Sequence, residues 1–442
     1  MRSRHHSDIS CLIMAYINKQ MLTAVVADEH GNIFELDGYA AAGMSGNDFF
    51  ILTKSGTCPM PQGSELMLLP DRAPIVFNLV KDRFETLETN PFQPDQRIYP
   101  VGVFNSPGYV NLHFCAYDDF GMDTQLPLFS YGAVGFGKND FRSAALQVDD
   151  EPRQDLRLMP IAQVQRGVEK YRKKYPDNRL MRHLEKCALE YGCPAGKNFF
   201  LGRYEAPLPT SVACNARCLG CISLQTDNDL CACQDRISFI PDPEEIAGVA
   251  LEHILKVEKA VVSFGQGCEG EPLTSADAIE KAIVLIREKT DKGTINLNSN
   301  ASLPDRVERL CQVGLDSMRV SINSVRKDCY TAYFRPKSYC FEDVVDSIKR
   351  ARAKGRFVAI NYLNCPGFTD SQAEKQALFD FIRDTDINMI QWRNLNFDPR
   401  HYIRIMENAA PGGSPSGMAN LIKALRQTFS HLIHGYFNPP RR

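Results

Sequence analysis

From about residue 205 onward, short β-branched runs alternate with amphipathic stretches, and that alternation leaves few folds open. The runs are "PTSVAC" (209–214), "AVVSFG" (260–265), "TINLNS" (294–299), "SMRVSIN" (317–323), "FVAINYL" (357–363) and "MIQWRNL" (389–395). Between them apolar residues recur at helical spacing near 242–256, 275–289, 304–313, 341–354 and 371–384. Helix-start signals accompany them: Pro241, Asp242 and Pro243 with Glu244 and Glu245 before the second run, and Thr369 and Asp370 before the last. Strands that alternate with helices pair in parallel, because each return crossing needs a dozen or more residues. Residues 205–400 are therefore expected to be α/β, a partial TIM-type (βα)6 barrel, with an open doubly wound sheet as the other arrangement. A last amphipathic stretch, 419–434, puts Leu421, Ile422, Leu425, Phe429, Leu432 and Ile433 on one face. It makes 401–442 a C-terminal helix and tail.

The texture upstream is different. Residues 1–155 read as a β-rich N-terminal domain. "MLTAVVADEHGNIFEL" (21–36) is two apolar runs around a Gly-Asn turn, hence a hairpin. "FFILT", "ELMLLP" and "PIVFNLV" are short strands, and "YVNLHFCA" (109–116) alternates with a period of two. Residues 156–204 read as a helical connector, with Asp177 and Asn178 as caps and Gly192 and Pro194 as stops. The opening "MRSRHHSDISCLIMAYINKQ" reads better as a first strand than as a leader, because its apolar part is brief. No apolar run reaches the ~18 residues of a membrane span. A net charge of -2 gives no electrostatic sign of nucleic acid. The 15 cysteines are odd in number and irregularly spaced, unlike a disulfide scaffold, and point to thiols in a reducing, cytoplasmic setting.

Three of those thiols are clustered. "CNARCLGC" places Cys214, Cys218 and Cys221 at the end of the first run and in the loop after it. In βα barrels, chemistry sits at the C-terminal ends of the strands. Three thiolates there suit an iron–sulfur cluster with one iron left open for a ligand. Structural zinc with a distant fourth ligand is the competing account.

The loop resembles the CxxxCxxC loop of the radical S-adenosylmethionine (SAM) enzymes. One helix and one strand later, "FGQGCEGEPL" contains "GEP" at 270–272, which resembles that family's glycine-rich SAM-binding turn. "RVSINS" (319–324) resembles the strand whose serine contacts SAM. The resemblance covers roughly 205–400 and leaves the subfamily open. It implies a [4Fe-4S] cluster on Cys214, Cys218 and Cys221, and SAM bound by Gly220, Gly270, Glu271, Pro272 and Ser321. It also implies reductive cleavage of SAM to methionine and a 5′-deoxyadenosyl radical, fed by a low-potential donor of the flavodoxin or ferredoxin type. Two positions depart from the common pattern: Gly220 stands where many members have an aromatic residue, and Glu269 where many have glycine.

Polar residues gather at the other strand ends. Asn296, Asn298 and Asn300 follow the third run, Ser321 and Asn323 the fourth, Asn361 and Asn364 the fifth, and Gln391, Arg393, Asn394 and Asn396 the sixth. They suit hydrogen bonding to SAM and a polar substrate, with Asn298 and Asn323 assigned to SAM beside Ser321. Plain loop capping explains them as well. Cys365, after the fifth run, is the candidate for a substrate-side thiol. Cys187, Cys193, Cys231 and Cys233 are candidates for an auxiliary cluster. The substrate stays open. One alternative is an RNA- or peptide-modifying member whose N-terminal domain reads the substrate. Another is a non-catalytic iron–sulfur or zinc protein for electron transfer or interaction.

Overall fold

The computed structural model describes residues 20–122, 124–225 and 230–441. The stretch read as a first strand lies, up to residue 19, outside the described residues.

The C-terminal half is built on a seven-stranded sheet: Glu205–Pro207, Val261–Phe264, Thr294–Ser299, Ser317–Ile322, Phe357–Asn364, Met389–Asn394 and Ile433–Gly435, hydrogen-bonded in that order. Every neighbouring pair is parallel. Spatial order equals chain order throughout. A doubly wound sheet reverses its order at a switch point; this one never does, so it is an open half-barrel. The crossing helices are Pro243–Ile254, Ala276–Arg287, Pro304–Val313, Phe341–Ala353 and Gln372–Thr385. Asp242 and Glu245 form a capping box at the start of the first.

Three expectations are corrected, and two helices are added. "PTSVAC" is not the first strand, which is the shorter Glu205–Pro207. After it the chain leaves the sheet and bonds to the glycine turn: the Gly270 amide donates to the Ser211 carbonyl at 2.7 Å, and the Glu271 amide to that of Ala213 at 2.8 Å. The stretch 419–434 is not one helix. The helix Met418–Thr428 ends early, and Ile433–Gly435 pairs with the sixth strand. The sheet therefore extends past residue 400. Two helices carry no clear sequence signal: Lys327–Phe334 after the fourth strand and Pro399–Ala409 after the sixth. Finally, 109–116 is two strands with different partners. Tyr109–Asn111 pairs with Ala145–Gln147, and Phe114–Cys115 with Ala42–Ser45.

The N-terminal region is antiparallel. Its hairpin joins Thr23–Ala27 to Ile33–Ala40, and Gly31 takes the φ of +81° that the turn requires. Three helices, Ile161–Lys174, Arg179–Leu189 and Pro194–Leu201, lead from it to the half-barrel. Asn178 caps the second, accepting from the Met181 amide at 2.9 Å. The N-terminal region does not keep its core to itself. Met44, Phe114, Tyr117 and Tyr131 belong to the same buried apolar cluster as Phe368, Leu395 and Tyr402 of the half-barrel. Among the described residues no helix is long and apolar enough to cross a membrane.

Candidate active site

A cavity of about 540 Å³ opens at the C-terminal ends of the strands, the end where parallel βα folds place their chemistry. Cys214, Cys218 and Cys221 all line it, as do Gly220, Gly270, Glu271, Pro272, Asn298 and Ser321. Its roof comes from the N-terminal region, through Phe104, Asn105, Leu128, Phe129 and Ser130.

Backbone bonds shape the cysteine loop. The amides of Arg217 and Leu219 donate to the carbonyls of Phe334 and Tyr333, the last residues of Lys327–Phe334, at 2.9 and 3.1 Å. These are carbonyls that a helix C-terminus leaves without partners of its own. Asn396 Nδ2 donates to the Gly220 carbonyl at 3.1 Å. Burial pushes the Cys214 thiol up and the Cys218 thiol well up; a bound metal would reverse this by favouring thiolate. Arg236 places Nη2 3.8 Å from Cys221 Sγ. Three soft donors of one loop thus converge on one cavity, and their chemistry fits an iron–sulfur cluster.

Tyr333 occupies the space that an aromatic residue at 220 would take. A Cβ on Gly220 would lie 2.9 Å from its hydroxyl. The aromatic cover beside the third cysteine therefore comes from a helix more than a hundred residues on, and Tyr333 lines the cavity.

The glycine turn is held by its two glutamates. Glu269 is 4% exposed. Its carboxylate accepts from the amides of Gly265 and Gln266, both at 2.7 Å, and from those of Thr210 and Ser211 at 2.8 and 2.9 Å. Burial pushes it up to about 7 against these four bonds, which favour the charged form. Glu271 accepts from Ser299 Oγ at 2.5 Å and from the amides of Asn300 and Leu273 at 2.8 and 3.0 Å, and burial raises it likewise to about 7. Glu269 ties the turn to the cysteine loop, and Glu271 ties it to the third strand.

The strand-end polar residues divide by role. Asn298 lines the cavity while donating to the Gly265 carbonyl at 3.0 Å. Asn361 also lines it, and its buried Oδ1 has no hydrogen-bond partner. Asn364 instead clamps the N-terminal region, and Asn394 does so while also lining the cavity. Asn364 Nδ2 donates to the Asn111 carbonyl at 2.9 Å, Asn394 Nδ2 to the Tyr109 carbonyl at 2.8 Å, and the Asn111 amide to Asn394 Oδ1 at 2.8 Å. Asn323 is outside the cavity lining. It is fully buried and donates to the Cys329 carbonyl and the Tyr402 hydroxyl at 3.2 and 3.1 Å. Cys365 is also not brought to the cavity. It is fully buried, its amide donates to Thr369 Oγ1 at 2.9 Å, and burial pushes its thiol far up. Its turn packs on the N-terminal region, where the Gly46 amide donates to the Pro366 carbonyl at 3.1 Å. Cys231 and Cys233 are exposed, and among the described residues they form no ligand group with Cys187 and Cys193.

Besides Arg236, Arg319 and Arg393 line the cavity. Burial, then the like charge of Arg393, pulls Arg319 down to about 9, and burial lowers Arg393. Arg319 Nε and Arg393 Nη1 are buried without a hydrogen-bond partner. Arg393 lies over the Tyr436 ring at 3.4 Å. Arg319 was legible in principle: it is two residues before Ser321 on one strand and so shares its face.

Residues 208–379 match the model of the Radical SAM superfamily. Over 181 residues the chain is 27% identical to the FeMo cofactor biosynthesis protein NifB of Klebsiella pneumoniae, covering 37% of this chain and 38% of that one. Over 186 residues it is 26% identical to the GTP 3',8-cyclase of Marinobacter nauticus, covering 40% and 50%. The chain spans half or less of the length of these curated relatives. Among solved structures, Streptococcus suis SuiB gives a TM-score of 0.38 at 13% identity over 72% of each chain. A radical SAM methyltransferase from Sphaerobacter thermophilus gives 0.38 at 17% identity over 52% of this chain and 66% of that one. The matched segment carries the cysteine loop, the glycine turn and the fourth strand, so it is residues 208–379 that are similar to the radical SAM superfamily.

Proposed function

We propose that this protein is a radical SAM enzyme acting on a small anionic substrate. The reading rests above all on one observation: the three thiols of 214–221 and the backbone of the 269–272 turn open onto the same cavity. Cys214, Cys218 and Cys221 would hold a [4Fe-4S] cluster, which when bound supplies the electron that cleaves SAM and starts radical chemistry. The chain's own residues bind and shield. The Gly270 turn, Asn298 and Ser321 form the wall beside the thiols, and Tyr333 covers them. Phe104, Leu128 and Phe129 roof the cavity and exclude water, which protects a reactive intermediate from side reactions.

Arg319, Arg393 and Asn361 favour an anionic substrate with a hydrogen-bond donor. The guanidiniums of Arg319 and Arg393 line the cavity, with buried nitrogens that have no hydrogen-bond partner, and a carboxylate or phosphate would relieve the cost of burying them. The volume suits SAM with a small molecule rather than a folded macromolecule, which weighs against the RNA- and peptide-modifying reading. On the outer side of the cysteine loop a second recess is lined by Arg217, Arg335 and Lys337 beside Cys214 and Cys218. That basic rim suits an acidic low-potential electron donor of the flavodoxin or ferredoxin type.

The test is anaerobic protein with SAM and dithionite, read as 5′-deoxyadenosine. The Cys214→Ala, Cys218→Ala, Cys221→Ala triple variant is expected to fall by at least about 100-fold, a loss of about 2.7 kcal/mol in barrier lowering. Equal yields from the parent and the triple variant would overturn the reading.

A further inference from the structure

Outside the cavity, three soft donors from two separate elements meet in the protein interior. His183 and Cys187 are one turn apart on the helix Arg179–Leu189 and so face the same way. Cys268 lies in the glycine turn. Its neighbours Gly267 and Glu269 line the cavity and Cys268 does not. Cys187 Sγ is 3.5 Å from His183 Nε2, and the ligand atoms of all three lie within 4.8 Å of one another. Among the described residues this is the one such group close enough to share a single ion.

The geometry is that of a coordination edge. A tetrahedral zinc ion, with sulfur at about 2.3 Å and nitrogen at about 2.0 Å, holds those two ligands about 3.5 Å apart. The donors are also chemically matched: thiolate and imidazole suit zinc and not the oxygen-seeking ions. Charge fits as well. Cys187 and Cys268 are 2% and 5% exposed. Two thiolates and one neutral imidazole balance one divalent cation; a third thiolate from Cys193 leaves a single negative charge, with Lys186 and Lys197 nearby to offset it.

We propose that His183, Cys187 and Cys268 bind a structural zinc ion, with Cys193 as the fourth ligand. Structural zinc sites are closed by four protein ligands. Cys193 is the thiol that the backbone brings next to the trio, its amide donating to the Cys187 carbonyl at 2.9 Å. The ion would cross-link the connector to the turn, one residue before Glu269, whose carboxylate fixes Thr210 and Ser211. It would thus hold in register the two segments that bear Gly270 and Cys214, without itself touching substrate. This proposal stands independently of the reaction assigned to the cavity.

The experiment is metal analysis and zinc X-ray absorption on the full-length, iron-loaded protein purified without oxygen. About one zinc per chain is expected, with sulfur at about 2.3 Å and one imidazole nitrogen at about 2.0 Å. Cys187→Ser and His183→Gln should each lower zinc by at least about fivefold while iron stays at the parent level. Two variants are used because either one alone can misfold; a variant that stays soluble with its iron intact reports on the site directly. Zinc below about a fifth of an equivalent in the parent overturns the proposal. So does zinc that is unchanged in both variants, iron that is lost from them in place of zinc, or a Cys187–Cys268 disulfide in the zinc-free parent.

Discussion

Glu269 is a single side chain that holds two loops about sixty residues apart. Each of its oxygens accepts two backbone amides. Glutamine at this position would turn an NH2 group toward one pair of donors and leave them unsatisfied. Hydrogen bonds to a charged acceptor are worth about 1.5–3 kcal/mol each, so Glu269→Gln is expected to cost about 3 kcal/mol. Urea unfolding at pH 8, above the value of about 7 set by burial, checks it. A loss under about 1 kcal/mol would mean that the carboxylate is not the clamp. Gly270 carries a related lesson. Its need for glycine is legible in the sequence, but the reason is not close approach to a ligand alone. A Cβ there would sit 1.9 Å from the Ala213 carbonyl oxygen, so Gly270→Val would disturb the segment leading into Cys214 as well as the turn.

At the scale of elements, the half-barrel and the N-terminal region meet around one helix start. Asp398 caps Pro399–Ala409, accepting from the amides of Arg400 and His401 at 3.1 Å. It also accepts from the Tyr117 hydroxyl at 2.8 Å and from Arg72 Nη2 at 3.3 Å. Arg72 and Asp398 side chains are 2% and 3% exposed. Removing one partner of a buried ion pair strands the other, so Asp398→Ala is expected to cost about 3–5 kcal/mol. Arg72→Met, which removes the cation and keeps the cap, should cost less; denaturant midpoints of the two variants decide this. A larger loss in Arg72→Met would show that the cap and the Tyr117 bond carry little. Most barrel strands and helices were legible because each is long enough to show its own period. The seventh strand has three residues and the first has three, too few for any period, and pairing alone makes them strands.

Over the whole molecule, antiparallel strands give way to helices after Ala145–Gln147, yet the apolar core runs across that change. A fragment starting near residue 195 would expose Phe368, Leu395 and Tyr402, together with Asn364, Asn394 and Asp398 stripped of their N-terminal partners. It would also lack the roof of the cavity. We expect it to aggregate on size-exclusion chromatography. A soluble, monomeric fragment that cleaves SAM as the full chain does would show that the N-terminal region is dispensable to the fold.

Local sequence alone determined three things: the α/β class of the second half, its strand boundaries from Val261 to Asn394 within a residue or so, and the clustering of three thiols in the 214–221 loop. Each is encoded over fewer than about twenty consecutive residues, as a period or a spacing. Tertiary structure alone decided which polar strand ends face the cavity. Asn361, Arg393 and Asn394 do, while Asn364, with Asn394, bonds the N-terminal strand Tyr109–Asn111 and Trp392 bonds His434 at 3.1 Å. It also decided that Tyr333 covers the cysteine loop, and that Cys187 meets Cys268 and not Cys231 or Cys233. These contacts join residues far apart in the chain. They are set by how the twisted sheet, its helices and the N-terminal strands pack together, and no local pattern encodes that.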